Sequence, residues 1–268
     1  MSDIISFTKA HGTGNDFIIF IAEESPDLVR DRSFISRLCR RRTGVGADAV
    51  LVLSKEPGYD YKMDYYNSDG TWETMCANGA RCAGLLMKKR GQVTSNHIHF
   101  LAGDGPHEME ILDDGQIRLK MTPPEYKSDM LTVEGFSGCH VDSGATHFAT
   151  EVERFTMKQA SEFAPGIRYA SEFAPRGINV DFFEVVNSRT IKVITFEKGI
   201  EKVMLSCGSG SVAAAFHAAK LKELESPLDI IVPGGKLSLV FDSDWQNVWL
   251  SGPAVILYTS QINPDNLH

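Results

Sequence analysis

Two cysteines in this chain stand in matching surroundings that suit acid–base chemistry. One run reads Cys-Ala-Asn-Gly-Ala-Arg-Cys from Cys76, and the other reads Cys-Gly-Ser-Gly-Ser-Val from Cys207. Each run leads into a pattern that predicts a helix, over residues 79–90 and 210–224. The backbone N–H groups and the dipole at a helix start favour an anion, either a thiolate or a ligand carboxylate. We therefore predict lowered pKa values for both thiols, with the glycines allowing a ligand close to the backbone.

A pair of such thiols suits stereoinversion at a carbon beside a carboxylate. One group removes the proton from one face, and the other returns a proton to the opposite face. Backbone N–H groups would stabilise the enediolate-like charge that develops on the carboxylate. Cys82 lies within the first predicted helix, and we predict that it is packed there. Cys39 and Cys139 have no counterpart in a repeat, and we predict that they are structural.

The surroundings of the two cysteines repeat along the chain at an offset of 131 residues, from 76 to 207. A strand-like run precedes each cysteine, over residues 61–67 and 190–196, and a predicted hairpin follows each helix. This pattern predicts an α+β protein of two pseudo-symmetric domains, each a mainly antiparallel sheet wrapped around a central helix. The predicted domains are residues 1–122 and 123–268, with a last strand that can return to the first domain.

Composition narrows the class of protein. The chain has 268 residues, a formal net charge of −8, 43% hydrophobic residues and 23% charged residues, which is typical of a soluble globular enzyme. The acidic balance disfavours nucleic-acid binding. No apolar run reaches the roughly 20 residues of a membrane span, and the N-terminus shows no signal-peptide pattern. We expect a cytoplasmic protein with reduced cysteines.

The motifs in this chain resemble those of the diaminopimelate epimerase family over nearly its whole length. The motifs that carry the resemblance are His11-Gly-Thr-Gly-Asn-Asp-Phe17, Thr43-Gly-Val-Gly-Ala-Asp48, Asn67-Ser-Asp-Gly70, Cys76-Ala-Asn-Gly-Ala-Arg-Cys82, Asn179-Val-Asp-Phe182, Glu197-Lys-Gly199 and Cys207-Gly-Ser-Gly210. The resemblance implies a homodimer that acts on a small amino-acid substrate without pyridoxal phosphate or a metal. The expected reaction interconverts LL- and meso-diaminopimelate, a step toward lysine and peptidoglycan precursors.

The resemblance also assigns roles to individual residues. Cys76 and Cys207 match the acid–base pair, and His147 and Glu197 match positions that orient the substrate or tune the thiols. The other positions implied to contact the substrate are Asn15, Asn67, Ala77, Asn78, Asn179, Lys198, Gly208 and Ser209. From the sequence alone, a turn-forming role explains Asn15 and Asn67 as well as a role in substrate binding does. His147 by itself is more typical of a half-buried histidine whose hydrogen bonds are satisfied.

Departures from the family pattern keep other functions open. Ala49 stands where the family usually has glutamine, Ala145 and Thr146 replace Asn-Pro, and Lys198 replaces an arginine that grips the distal carboxylate. These changes allow racemisation of another amino acid, such as histidine, on the same scaffold. A third possibility is a redox role, in which the two thiols form a disulfide.

Overall fold

The computed structural model describes residues 4–267. The chain separates into two compact units. The first contains the chain up to Leu119 together with the segment from Pro253 onward, and the second is Lys120–Gly252.

Strands dominate both units, and four α-helices accompany them in the described residues. The strands are β1 (Ile5–Gly12), β2 (Asn15–Ile21), β3 (Ala49–Ser54), β4 (Tyr61–Asn67), β5 (Trp72–Glu73), β6 (His97–Ala102), β7 (Gly105–Ile111), β8 (Ile117–Met121), β9 (Glu125–Tyr126), β10 (Leu131–Val133), β11 (Phe136–Asp142), β12 (Thr146–Glu151), β13 (Asn179–Asn187), β14 (Thr190–Glu197), β15 (Lys202–Val203), β16 (Leu228–Val232), β17 (Gly235–Phe241), β18 (Val248–Gly252) and β19 (Val255–Ile262). The helices are α1 (Arg32–Cys39), α2 (Ala77–Lys89), α3 (Met157–Arg168) and α4 (Gly208–Lys222).

The two units have the same strand pairing. In the first unit, β1–β2 is antiparallel, β2–β3 parallel and β3–β4 antiparallel, and β4 pairs with β5 antiparallel and with β6 in parallel. In the second unit, β11 to β16 repeat this sequence of pairings. The hairpins after the helices also correspond, with β6–β7–β8 matched by β16–β17–β18. The prediction of two pseudo-symmetric α+β domains with mainly antiparallel sheets is therefore confirmed.

Each unit has one outer helix and one central helix. Outer helix α1 packs Phe34, Ile35 and Leu38 into the first core, and α3 has the same role in the second unit. The central helices α2 and α4 are the ones that follow the two cysteines. Buried residues occur all round α4, as expected for a helix enclosed by a sheet. Both central helices begin two residues earlier than predicted, at Ala77 and Gly208.

Candidate active-site clusters

The first cluster forms at the start of α2, where Cys76 is the N-cap residue. Its backbone is extended and its side chain is half-buried. The thiol donates to the side-chain oxygen of Asn15 across 3.7 Å. The first N–H to bond within the helix is that of Ala80, which donates to the carbonyl of Cys76 at 2.8 Å. The thiol therefore lies at the positive end of the helix, as the sequence predicted.

Two side-chain amides beside Cys76 have defined orientations. Asn15 Nδ2 donates to Asp48 Oδ2 at 3.0 Å, so Asn15 Oδ1 is directed to the other side. That oxygen accepts from Asn78 Nδ2 at 3.2 Å as well as from the thiol. Asn78 Oδ1 in turn accepts from Arg81 at 2.6 Å. Asp48 and Arg81 therefore fix which end of each amide faces the cysteine.

An ion-pair network holds Asp48 in place. Arg41 donates to Asp48 Oδ1 at 2.8 Å and to Asp16 Oδ1 at 2.6 Å. Asp16 also accepts from Lys9 at 2.7 Å. Burial would raise the pKa of Asp16, but the hydrogen bonds from Arg41 and Lys9 outweigh it and lower that pKa. Charged groups on β1, β2 and the loop before β3 thus support the amide of Asn15.

Arg81 is a fully buried cation with no carboxylate partner in the described part of the chain. Its exposed fraction is 0%, and its hydrogen bonds go to Asn78 Oδ1, Thr13 Oγ1 and the carbonyl of Ala77. Burial lowers the pKa of Arg81, while the nearby thiols of Cys82 and Cys76 act in the opposite direction. The second unit has Val212 at the corresponding helix position, so only the first cluster contains such a cation.

Asn67, at the end of β4, does not join these hydrogen bonds. Its Oδ1 accepts from the hydroxyl of Tyr65 at 2.9 Å, and its Nδ2 donates to Glu73 at 3.5 Å. Its backbone pairs with Ala49 across β3 and β4. The structure therefore places together Asn15, Cys76, Ala77 and Asn78, with Asn67 at a neighbouring strand end.

The second cluster forms at the start of α4, where Cys207 is the N-cap residue and is 8% exposed. Its Sγ lies 3.6 Å from the hydroxyl of Ser209. Ser209 Oγ lies 3.0 Å from His147 Nε2, and His147 Nδ1 lies 2.7 Å from Asp181 Oδ2. These contacts lead from Cys207 toward the carboxylate of Asp181, where His147 Nδ1 and Asp181 Oδ2 approach closely without the geometry of a hydrogen bond.

The prediction of a lowered thiol pKa is wrong for Cys207. Burial, the negative charge of Glu197 and that of Asp181 raise its pKa well above the ordinary value, and a hydrogen bond with Glu197 adds to the effect. The backbone N–H of Gly210 acts in the opposite direction but is outweighed. The helix dipole is therefore not the dominant influence on this thiol.

Asn179 and Lys198 form a neighbouring part of the second cluster. Asn179 Nδ2 donates to the carbonyl of Thr146 at 2.9 Å, and its Oδ1 accepts from the backbone N–H of Lys198 at 2.8 Å. The side chain of Lys198 is exposed. Asn179 thus ties the end of β14 to the start of β12, and it places Lys198 directly after Glu197.

The glycines of the helix starts serve packing. A Cβ atom on Gly79 would lie 3.2 Å from Leu51 and 3.3 Å from Phe17. A Cβ atom on Gly210 would lie closer than 3.0 Å to Asp181 and at 2.7 Å from Thr195 Oγ1. At both positions the space beside the glycine is filled by the sheet of its own unit. They allow each central helix to approach its own sheet.

The structure adds three residues that the sequence interpretation missed: Asp48, Arg81 and Asp181. Each acts on a predicted site residue through a side-chain contact. Asp181 had a local signal, because it follows Asn179 by two residues on one strand and so shares its face. The contacts of Asp48 and Arg81 had no comparable signal in the sequence.

Comparisons with known proteins identify the family of this chain. The model of the family described as diaminopimelate epimerase matches residues 7–127 and 139–257. The chain belongs to the diaminopimelate epimerase family. A relative named diaminopimelate epimerase from Aquifex aeolicus is 31% identical, over 98% of this chain and 99% of the relative. Another of the same name, from Chlorobaculum tepidum, is 34% identical, over 94% of this chain and 98% of the relative.

Solved structures with the same fold include proteins described as a racemase and an epimerase. A probable proline racemase from Agrobacterium radiobacter has a TM-score of 0.72 at 15% identity, covering 97% of this chain and 93% of that one. A hydroxyproline epimerase from Agrobacterium vitis has a TM-score of 0.71 at 14% identity, covering 97% and 92%. With the family match, these establish the diaminopimelate epimerase-like fold and an isomerase of the epimerase and racemase class.

Within residues 4–267, there is no group of three or more His, Cys, Asp and Glu side chains that could hold a metal ion. None of the helices in that range has the length and apolar character to cross a membrane.

Proposed function

We propose that this protein interconverts LL- and meso-diaminopimelate by moving the α-proton between Cys76 and Cys207. The observation that carries the proposal is that two units of matching topology each position a cysteine at the N-cap of the central helix. The family match and the relatives named diaminopimelate epimerase support the substrate.

In the proposed reaction, one cysteine acts as thiolate and removes the α-proton. The other acts as thiol and returns a proton to the opposite face of the same carbon. The starts of α2 and α4, with Ala77, Asn78, Gly208 and Ser209, bind the reacting carboxylate and stabilise the negative charge that it gains. The reverse direction exchanges the roles of the two cysteines.

The remaining residues orient the substrate or adjust the thiols. We propose that Asn15, Asn67 and Asn179 hold its polar groups, and that Lys198 attracts the distal carboxylate as a point charge. Glu197 keeps Cys207 protonated in the direction of the reaction in which Cys207 acts as the acid, consistent with the raised pKa of the Cys207 thiol. His147 also adjusts the Cys207 thiol, through its contact with the hydroxyl of Ser209.

A substrate panel tests the proposed function. Purified protein is incubated with LL-diaminopimelate and, separately, with single stereoisomers of lysine, histidine and proline, and the products are separated by chiral chromatography. We expect inversion of diaminopimelate at one centre and no detectable inversion of the others. Faster turnover of histidine or another amino acid would reject diaminopimelate as the substrate and favour the alternative that Ala145 and Lys198 suggest.

We also propose a homodimer that uses β19. This strand pairs with β1, and Leu257 and Tyr258 are 50% and 47% exposed. Exposed apolar side chains on one strand favour association with a second copy. In light scattering, Leu257→Glu should shift the mass from dimer to monomer, whereas Val240→Glu, at a similarly exposed position on β17, should not. A monomeric unsubstituted protein would reject this proposal.

For the cellular role, we propose that the enzyme supplies meso-diaminopimelate for lysine and peptidoglycan precursors in the cytoplasm. Expression in a bacterium that lacks its own epimerase should restore the meso isomer in extracts of the cytoplasmic fraction. Persistent accumulation of the LL isomer would contradict this role.

A further inference from the structure

Glu73 is an exposed carboxylate beside Asn67 in the first unit. Its Oε1 accepts from Asn67 Nδ2 at 3.5 Å, and it forms no ion pair among the residues that the structure describes. The neighbouring carboxylates Asp64 and Asp69 differ, because each has an arginine partner. Glu73 is therefore open to a cation that the described protein does not itself supply.

The strand register places Glu73 on the face of the sheet that packs against the central helix α2. Glu73 pairs with Tyr65 across β5 and β4, and Tyr65 pairs with Leu51 across β4 and β3. Directly paired residues share a face, and so does Asn67, which follows Tyr65 by two positions. This face contacts α2, since Leu51 would lie 3.2 Å from a Cβ atom on Gly79. Glu73 and Asn67 are thus on the side of the sheet from which the first cluster is built.

The amide of Asn67 is oriented so that it can join Glu73 in binding a cation. The hydroxyl of Tyr65 donates to Asn67 Oδ1 at 2.9 Å, which directs Nδ2 toward Glu73. An amide oxygen has two lone pairs, so one remains after the bond from Tyr65. An ammonium group has three N–H donors and no acceptor. Placed here, it can donate both to the carboxylate of Glu73 and to Asn67 Oδ1.

The spacing between this carboxylate and Cys76 suits a long amino acid. The Cys76 thiol contacts Asn15 on β2, and Asn67 lies two strands away, because β2 pairs with β3 and β3 with β4. Neighbouring strands are about 4.8 Å apart, so these strand ends are separated by about 10 Å. Carbon–carbon bonds of about 1.5 Å put the two amino-bearing carbons of extended diaminopimelate roughly 5 Å apart. A contact of about 3 Å at each end then spans the distance from Cys76 to Glu73.

We propose that Glu73 is a specificity-determining residue that binds the ammonium group at the distal, non-reacting centre of diaminopimelate. The inference deepens the proposed function and rests on it. That function gives Lys198 to the distal carboxylate, whereas its only assigned carboxylate, Glu197, is hydrogen-bonded to Cys207. Glu73 supplies the negative charge that the distal ammonium otherwise lacks. Amino acids without a distal cation forgo this contact.

Two ligands that differ only in the distal ammonium test the inference. One is LL-diaminopimelate, followed by kcat/KM for inversion. The other is L-2-aminopimelate, which has the same carbon chain and both carboxylates, followed by its inhibition constant against diaminopimelate. Water screens an exposed charge, so Glu73→Gln should lower kcat/KM for diaminopimelate about fivefold. The inhibition constant of L-2-aminopimelate should change less than about 1.5-fold, because that ligand has no ammonium to lose.

The matched control is Glu56→Gln, which removes the same charge from the loop between β3 and β4 of the same unit. Both constants should match those of the unsubstituted protein. Glu73→Asp keeps the charge and should recover part of the lost kcat/KM. An unchanged kcat/KM in Glu73→Gln would overturn the inference. An equal loss for both ligands would overturn it as well, because Glu73 would then act on the fold or the general field and not on the distal ammonium.

The proposed function and this inference fail in different ways. If the unsubstituted protein does not invert LL-diaminopimelate, the proposed function is rejected and the role of Glu73 with it. If that protein inverts diaminopimelate but Glu73→Gln affects both ligands equally, the proposed function stands and only the role of Glu73 is rejected.

Discussion

Substituting Gly210 by alanine should both destabilise the protein and slow its reaction. Gly210 is the third residue of α4, and a Cβ atom there would lie closer than 3.0 Å to Asp181 and at 2.7 Å from Thr195 Oγ1. One of these side chains must move, which disrupts the 2.6 Å hydrogen bond between them. The substitution therefore perturbs the contact on which the start of α4 rests.

The size of the effect follows from three contributions. Overpacking a core costs about 1–3 kcal/mol, and a lost hydrogen bond to a charged group costs about 1.5–3 kcal/mol. Alanine in place of glycine in a helix returns about 0.5–1 kcal/mol. The expected net loss is about 1.5–5.5 kcal/mol, which lowers Tm by about 3–10 °C in a chain of this size. Displacing Cys207 and Ser209 should also lower kcat by about 10–100-fold.

The matched control is Gly166→Ala, on α3 in the same unit. A Cβ atom there would meet Glu134 at 3.2 Å, and this exposed side chain can move away. The control should therefore gain about 0.5–1 kcal/mol and keep its activity. Both proteins are compared by thermal unfolding and by initial rates at a temperature well below either Tm. Equal stability and equal kcat for the two variants would refute the packing of Gly210 on Asp181.

Three further substitutions test the first cluster, the substrate contact and the ion-pair network. Asp48→Asn should lower kcat/KM about tenfold or more, because the amide of Asn15 loses a charged acceptor. An unchanged kcat/KM would contradict the role of Asp48 in orienting Asn15. Lys198→Met should raise KM for diaminopimelate up to about fivefold with kcat unchanged, and Lys198→Arg should restore the KM of the unsubstituted protein. Equal KM values for both variants and the unsubstituted protein would exclude the contact between Lys198 and the substrate. The hydrogen bonds from Arg41 and Lys9 lower the pKa of Asp16 in the folded state. Ionised Asp16 therefore contributes to stability above its unfolded pKa of 3.8, and this contribution is lost as the pH falls through the folded pKa. Urea unfolding of Asp16→Asn should therefore differ from the unsubstituted protein at pH 6 and converge with it in acid; a constant difference would contradict this.

Much of the fold was predictable because duplication leaves a pattern in the sequence. The offset between Cys76 and Cys207, with strand-like runs before each and hairpins after each, predicted two units of the same topology. The sequence pattern predicts both central helices two residues too late, because Ala77 and Gly208 resemble parts of the preceding loops. Small residues there look like turn residues, although here they begin helices packed closely against the sheets.

The parts of the site that were not predicted depend on tertiary contacts. Asp48 acts on Asn15 from 33 positions along the chain, and a buried carboxylate next to His147 cannot be inferred from either local sequence. Both cysteines lie at helix starts as predicted, but the pKa of Cys207 is raised and not lowered. The dipole of a helix is a property of the local chain, whereas burial and the charge of Glu197 arise only when β14 packs against α4.

Hydrogen exchange and inversion in D2O test the central claim most directly. Starting from LL-diaminopimelate, the unsubstituted protein should form meso product that carries solvent deuterium at the inverted centre. Cys76→Ala and Cys207→Ala should each lose stereoinversion, whereas Cys139→Ala, which removes a buried cysteine outside both clusters, should retain it. Stereoinversion that persists in either of the first two variants would contradict the two-cysteine mechanism.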